Sequence, residues 1–198
     1  TELAVLELVD QLTTSMDKGE IPLTIFIDLS KAFDCLNHQI LLKKLKHYGF
    51  QGISLNVMQS YLSNRFQYVE SSNMRSEVKN LTTGVPQGSI LGPLLFLIYM
   101  NDFSQASAVF SMINYADDTA LTSTLKTLFS PANKSDEELI KITKWLKANK
   151  LQINVSKTKA MIFHTKNKSV ELPLIRIDGE LVEIVNHFSY LGIILDQN

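Results

Sequence analysis

Residues 23–27 read Leu-Thr-Ile-Phe-Ile, a β-rich run of strand length that ends on one carboxylate, Asp28. A strand with one wet face alternates apolar and polar residues. This run does not, so it belongs inside a sheet, covered on both faces. The partners expected for it are two short strands, Val109 to Tyr115 and Thr119 to Thr124, which flank Ala116-Asp117-Asp118. The sheet core is therefore expected to be the Asp28 strand beside the Asp117 hairpin.

Helical periodicity accounts for much of the rest. Leu3, Val5, Leu6, Leu8, Val9 and Leu12 fit an amphipathic helix over residues 1–18, stopped by Gly19 and Pro22. Asn37 is a candidate cap for a helix running to about Tyr48, with Gly49 just beyond its end. Residues 53–63 read as another helix, and residues 90–103 as a buried one. Ser135, followed by Asp136, Glu137 and Glu138, opens a helix as an N-terminus prefers. Phe66–Glu70 and Val78–Thr83 read as strands around the Ser71-Ser72-Asn73 turn. The alternating Phe66 and Tyr68 suggest core positions. Ala160–Phe163, Leu174–Ile177, Leu181–Ile184 and Phe188–Leu195 complete the strands, with a surface turn expected over residues 164–173.

The 198 residues can bury a sizeable core. A single cysteine, Cys35, leaves no internal disulfide or thiolate zinc cluster to form, and suggests a reduced, intracellular setting. The apolar run from Ile90 to Met100 contains Gly92 and Pro93 and is too short to span a membrane. The formal charge is only −1, but it is banded: −5 over residues 1–30, +4 over 31–101, −4 over 102–138, +8 over 139–170 and −4 over 171–198. Such banding suits a surface that meets phosphate in one place and cations in another. The lysines from Lys141 to Lys168 are a solvated helix face or a phosphate contact.

Asp28 at a strand end and Asp117-Asp118 at a tight turn share one pattern, carboxylates on rigid supports. Adjacent aspartates stay close only where water or a cation offsets their charge. A solvated hairpin turn is the plain alternative, since Asp is a common turn residue.

Three strings occur in order: Phe26-Ile27-Asp28-Leu29-Ser30-Lys31-Ala32-Phe33-Asp34, Gly84-Val85-Pro86-Gln87-Gly88-Ser89-Ile90-Leu91-Gly92-Pro93 and Tyr115-Ala116-Asp117-Asp118. Tyr61-Leu62-Ser63-Asn64-Arg65, Asn154-Val155-Ser156-Lys157-Thr158-Lys159 and Phe188-Ser189-Tyr190-Leu191-Gly192 accompany them. Together they resemble the palm of reverse transcriptases of non-LTR, LINE-type retrotransposons, over nearly the whole chain. The fold this implies is α+β: a right-hand polymerase palm, a small antiparallel sheet with helices packed on one face and partial fingers. Residues 1–24 would be the end of the fingers and the entry to the palm. Residues 25–165 would be the palm, and 166–198 the strands leading toward a thumb. The lack of an initiator Met, and of the family's upstream basic fingers, thumb and endonuclease, suggests a palm-centred excerpt of a longer polymerase.

The resemblance implies RNA-templated addition of dNTPs to a DNA primer 3′-OH, using two Mg²⁺ ions, with Mn²⁺ as a substitute. Small, hard Mg²⁺ takes carboxylate oxygens. By family position, Asp28 and Asp117 would bridge the ions, Asp118 would be a less direct ligand, and the Leu29 carbonyl would add an oxygen. Phe33 stands at the steric-gate position that favours dNTPs, with a core phenylalanine as its plain alternative. Gln87 and Gly88 would border the nucleotide and the template base, with Gly88 allowing close backbone approach. Lys157 would protonate the departing pyrophosphate, with Lys159 as its rival. Tyr190, Leu191 and Gly192 would grip the primer end, Tyr190 through an aromatic face with a polar tip and Gly192 through close backbone approach; a β-core tyrosine is the alternative. Arg65 would touch the template. No membrane contact is implied, and an element ribonucleoprotein in nucleus or cytoplasm is the expected setting. Other readings are a group II intron-type maturase, a viral RNA-copying polymerase (disfavoured by Ala116 and Phe33), and an inactive or domesticated nucleic-acid-binding remnant.

Overall fold

A computed structural model describes residues 1–72, 74–129, 135–165 and 173–197. The order begins α1 (Glu2–Asp17), β1 (Pro22–Ile27), α2 (His38–His47), α3 (Gly52–Leu62). Four short strands follow: β2 (Arg65–Gln67), β3 (Glu70–Ser71), β4 (Met74–Arg75), β5 (Lys79–Leu81). Next come α4 (Leu91–Met100), a 3₁₀ turn (Phe103–Ala106), β6 (Ser111–Tyr115), β7 (Asp118–Thr124), α5 (Leu125–Leu128) and α6 (Ser135–Ala148). The chain continues with β8 (Lys159–Ile162), β9 (Arg176–Ile177), β10 (Glu180–Leu181), β11 (Glu183–Ile184), β12 (His187–Tyr190) and β13 (Ile193–Asp196). No helix among the described residues is long and apolar enough to cross a membrane.

Two compact units emerge. One comprises residues 1–30, 102–148 and 152–198, the other 31–101 and 149–151. The first is built on a five-stranded sheet in the order β11-β8-β1-β7-β6. β1 lies at its centre, antiparallel to β7 and β8, and all six of its residues are buried, as its unbroken apolar run requires. β11 joins β8 in parallel. Helix α1 packs Val5, Leu8 and Leu12 with Phe26, Ile113, Ala120 and Met161. The α1 periodicity is thus read correctly at those three positions, while Leu3, Leu6 and Val9 face solvent. Both α1 and α2 end in Schellman turns around Gly19 (φ 74°) and Gly49 (φ 95°). In α1, Gly19 and Glu20 donate to Met16 and Ser15; in α2, Gly49 and Phe50 donate to Lys46 and Leu45. The expected strand Phe188–Leu195 is in fact the hairpin β12–β13, reversed at Leu191-Gly192, where both residues have positive φ. That is the type I′ turn matching strand twist.

The second unit contains α2, α3, α4 and a narrow β ribbon. Asn37 caps α2 as expected, its side chain accepting from the Ile40 amide at 3.1 Å. Two expectations fail here. Phe66 and Tyr68 are not core residues: they are 62% and 46% exposed at a two-stranded ribbon, and the Tyr68 ring meets the Arg75 guanidinium, 4.3 Å from its centroid. Their alternation marked a strand but said nothing about cover. Residues 90–103 are not one buried helix either. α4 stops at Met100, burying Leu95, Phe96 and Tyr99 while Ile90, Leu94 and Leu97 stay exposed. Of the expected Ser71-Ser72-Asn73 turn, Ser71 pairs with Met74 and Ser72 has φ 49°, while Asn73 and most of the expected 164–173 turn lie outside the described residues.

Candidate active site

The first unit holds a cleft of about 240 Å³. Asp28, Asp118, Thr119, Lys157, Ser189, Tyr190, Leu191 and Gly192 are among its lining residues. Each arrives there for a local reason. Asp28 terminates the central strand, and its main chain is clamped by the turn that follows Leu151. The Asp28 amide donates to Thr158 Oγ1 at 3.3 Å, and the Asn154 amide donates to the Asp28 carbonyl at 2.8 Å. Leu29 bridges Ile153 through the flanking Asp28 carbonyl and Ser30 amide. In that antiparallel pattern the Leu29 carbonyl itself points to the opposite edge of the strand. Thr158 is fully buried, and its hydroxyl in turn donates to the Asn154 carbonyl at 3.0 Å. Asn154 and Thr158 are positioning residues that sequence reasoning quoted within a motif without giving them a task.

The aspartate pair caps the β6–β7 hairpin. Tyr115 pairs with Asp118, so Ala116-Asp117 is a two-residue turn, and Ala116 takes φ 53°. An L-residue in that region is strained. The turn puts Asp117 at the tip and Asp118 at the first strand position. The Asp118 carboxyl is held above the usual aspartate range, first by partial burial, then by the charges of Asp117 and Asp28. Asp118 therefore feels both of the other carboxylates. The three do not form a ready metal cage: among the described residues no group of three His, Cys, Asp or Glu side chains sits at metal-holding spacing. The donor chemistry still fits a hard divalent cation, since every candidate ligand is an oxygen and the mutual repulsion is what a cation would relieve.

The two rival lysines separate. Lys159 Nζ is committed to Glu183 at 2.6 Å and to the Ser156 carbonyl at 2.9 Å. Lys157 is exposed and lines the cleft with Asp28 and Asp118.

Residues 6–195 match the family model described as "Reverse transcriptase (RNA-dependent DNA polymerase)". The chain belongs to the reverse transcriptase family. It is 30% identical over 190 residues to the RNA-directed DNA polymerase from mobile element jockey of Drosophila melanogaster, covering 92% of this chain and 20% of that protein. It is 31% identical over 197 residues to the probable RNA-directed DNA polymerase from transposon BS of the same species, covering 96% and 22%. The chain thus spans about a fifth of the length of these relatives. Among solved structures, apo telomerase from Candida tropicalis, truncated from its C-terminal domain, superposes with a TM-score of 0.65 at 16% identity. That match covers 98% of this chain and 38% of that one. The α+β reverse transcriptase palm expected from the motifs is therefore the fold of this family member.

Other expected site residues of this reverse transcriptase family member lie in the second unit. Phe33 is half-buried and stacks on Phe96, ring centroids 4.6 Å apart. Gln87 lines a second cleft, of about 480 Å³, with Lys31, Asp34, Gln67 and Pro86, and donates to Asp34 Oδ1 at 3.3 Å. Lys31 and Gln67 were not singled out from sequence. Gly88 has φ 81° with open space where a Cβ would stand. That backbone sign favours glycine, and the open space leaves room beside it. Gly192 is the same, with φ 84° and open space. Within the protein itself the backbone comes close at Gly84, where a Cβ would meet the Asp34 carbonyl oxygen at 2.9 Å. Arg65 is exposed with its guanidinium 5.8 Å from the Tyr61 ring centroid.

Two expectations about the first unit need correction. Tyr190 offers no exposed aromatic face. It is 3% exposed, packed with Val5, Leu8 and Leu12, with its ring 5.1 Å from that of Phe26. The lysine band is only partly available to phosphate. Lys141 pairs with Glu138, Lys147 with Asp178 and Lys159 with Glu183, the last two across long sequence separations. Lys166 and Lys168 lie outside the described residues.

Proposed function

We propose that the chain supplies the palm of a non-LTR retrotransposon's RNA-directed DNA polymerase, adding dNTPs to a DNA primer 3′-OH on an RNA template. The observation that carries this is the cleft that joins Asp28, Asp118 and Lys157 to the Tyr190–Gly192 hairpin, with Asp118 under the charges of Asp117 and Asp28. Asp28, Asp117, Asp118 and the Leu29 carbonyl would hold two Mg²⁺ ions, for which Mn²⁺ could substitute. When bound, the ions would supply Lewis-acid activation of the 3′-OH and charge stabilisation of the departing pyrophosphate. Lys157 Nζ carries the proton for that leaving group, since Lys159 is tied to Glu183. Leu191 and Gly192 meet the primer end through the turn backbone, and Arg65 meets the template. By their places in the family's motifs, Phe33 is the sugar gate and Gln87 and Gly88 border the nucleotide. Residues 25–165 are the palm on this reading, flanked by the entry helix in 1–24 and the primer-grip strands in 166–198. The setting is an element ribonucleoprotein, in nucleus or cytoplasm.

Primer extension by the intact protein tests this. Asp117→Asn and Asp28→Asn should each reduce Mg²⁺-dependent dNTP incorporation on an RNA template to background. Activity that survives Asp117→Asn would sink the two-metal assignment. Phe33→Val should raise ribonucleotide incorporation. No gain would return Phe33 to the role of a core ring stacked on Phe96.

A further inference from the structure

Tyr190 is buried on every side that packs against it, yet its polar end has no partner among the described residues. β12 fixes its backbone, with Tyr190 paired to Ile193 across the type I′ turn. Phe26 tilts against its ring, and Phe188 stacks on Phe26 at 4.5 Å. Val5, Leu8 and Leu12 of α1 belong to the same buried cluster. Yet its hydroxyl is shielded from solvent and has no hydrogen-bond partner in the protein. A buried donor without an acceptor is rare enough to need a reason. Two carboxylates bear on this hydroxyl. Burial first, then the charges of Asp118 and Glu7, push the phenol up to about 12, so it stays a protonated donor throughout the physiological range. Asp118 and Tyr190 line the same cleft, and the hydroxyl of the adjacent Thr119 donates to Asn114 Oδ1 at 3.0 Å and not to the aspartate. A residue with an unpartnered donor and a residue with a carboxylate therefore line one cleft.

We propose that Tyr190 is a positioning residue for Asp118: its hydroxyl donates to one carboxylate oxygen when the other turns to a divalent cation. This rests on the reading of the cleft as a cation site. A ligating carboxylate hydrogen-bonded from behind keeps its orientation and stays ionised, which is how outer partners raise metal affinity. The role also gives the buried tyrosine a reason to carry its hydroxyl, which phenylalanine would not supply.

The test is Mn²⁺ binding to the whole chain, followed by electron paramagnetic resonance, for wild type, Tyr190→Phe and Asp28→Asn, with thermal melts of each. Tyr190→Phe keeps the ring and its packing. It should weaken Mn²⁺ affinity about tenfold, with a melting temperature equal to or above that of wild type. A purely packing role predicts the reverse, unchanged affinity, and that result would overturn the proposal. Asp28→Asn separates the two levels. If Asp28→Asn abolishes binding and Tyr190→Phe changes nothing, the cation site stands and the tyrosine role falls. If neither substitution alters Mn²⁺ binding, the cleft is not the cation site and both fall.

Discussion

Two antiparallel hairpins in this chain share a construction and differ in their surroundings. β6–β7 turns at Ala116-Asp117 and is backed by β1, with Ala120 and Leu121 fully buried. The β2–β5 ribbon has exposed residues through most of its length, including Phe66, Tyr68, Val69, Met74 and Val78. Both carry β-formers. Cover by neighbours, not local propensity, separates them. A carboxylate at the tip of the first hairpin inherits the stiffness of a five-stranded sheet, whereas a lone two-stranded ribbon is marginal by itself.

The largest expected contrast lies between two phenylalanines. Phe26→Ala should cost about 3–5 kcal/mol, because it opens a cavity beneath α1 and beside Phe188 and Tyr190. Phe66→Ala should stay within about 0.5 kcal/mol, as an exposed substitution does. Urea midpoints of the two variants measure this directly. Equal losses would show that the ribbon is covered in the native protein.

A smaller contrast lies between two ion pairs. Glu138 is buried beside the Ser107 hydroxyl, which donates to it at 2.5 Å, and it is paired with Lys141. Burial alone would raise its carboxyl. The hydrogen bonds from Lys141 and Ser107, with the Lys141 charge, outweigh that and leave it below the usual glutamate range. Its folded form therefore binds a proton less readily than its unfolded form, so the stability it contributes is complete above the ordinary glutamate range. That stability is lost as pH falls through the lower folded value. Glu138→Gln should cost about 1–3 kcal/mol at neutral pH and flatten the acid limb of the stability curve. Glu70, paired with Arg75 on the ribbon at 3.1 Å with both side chains more than half exposed, should contribute about 0–1 kcal/mol. An acid limb that Glu138→Gln leaves unchanged would assign the acid sensitivity elsewhere.

The same comparison shows where the sequence was legible. The β1 run named its own burial, because a strand without polar positions has only one place to go. The aspartate hairpin was legible because the two strands and the turn residues were contiguous. Partners distant in sequence were not. Lys147 and Lys159 looked like solvated or phosphate-binding bases because Asp178 and Glu183 lie 31 and 24 residues away. Phe66 and Tyr68 showed strand period, but period cannot say whether anything lies above the strand. Tyr190 was read by its motif as a surface ring, and only the packing of α1 and Phe26 shows that its ring is core and its hydroxyl is the part left to explain. Asp28 was identified from its strand end, whereas the Thr158 and Asn154 groups that hold it become visible only when residues 130 and 126 positions later fold back on it.

The smallest effect tests how the aspartate hairpin is set. Ala116 at φ 53° occupies a position that an L-residue holds at a cost of about 1–2 kcal/mol, and glycine would hold it without that penalty. Glycine also has about 0.5–1 kcal/mol more backbone freedom to lose on folding. Ala116→Gly should therefore stabilise the chain by about 0.5 kcal/mol net, read as a slightly higher urea midpoint. Ser72 on the ribbon, with φ 49°, should respond to glycine by a similar amount, since the steric cause is the same. The two substitutions part at function. Ala116 adjoins Asp117, so loosening that turn spreads the aim of the tip carboxylate, and Mg²⁺-dependent extension should fall for Ala116→Gly while it holds for Ser72→Gly. A lower midpoint for Ala116→Gly would mean that the alanine methyl is packed to advantage, and that the turn owes its shape to contact and not to strain.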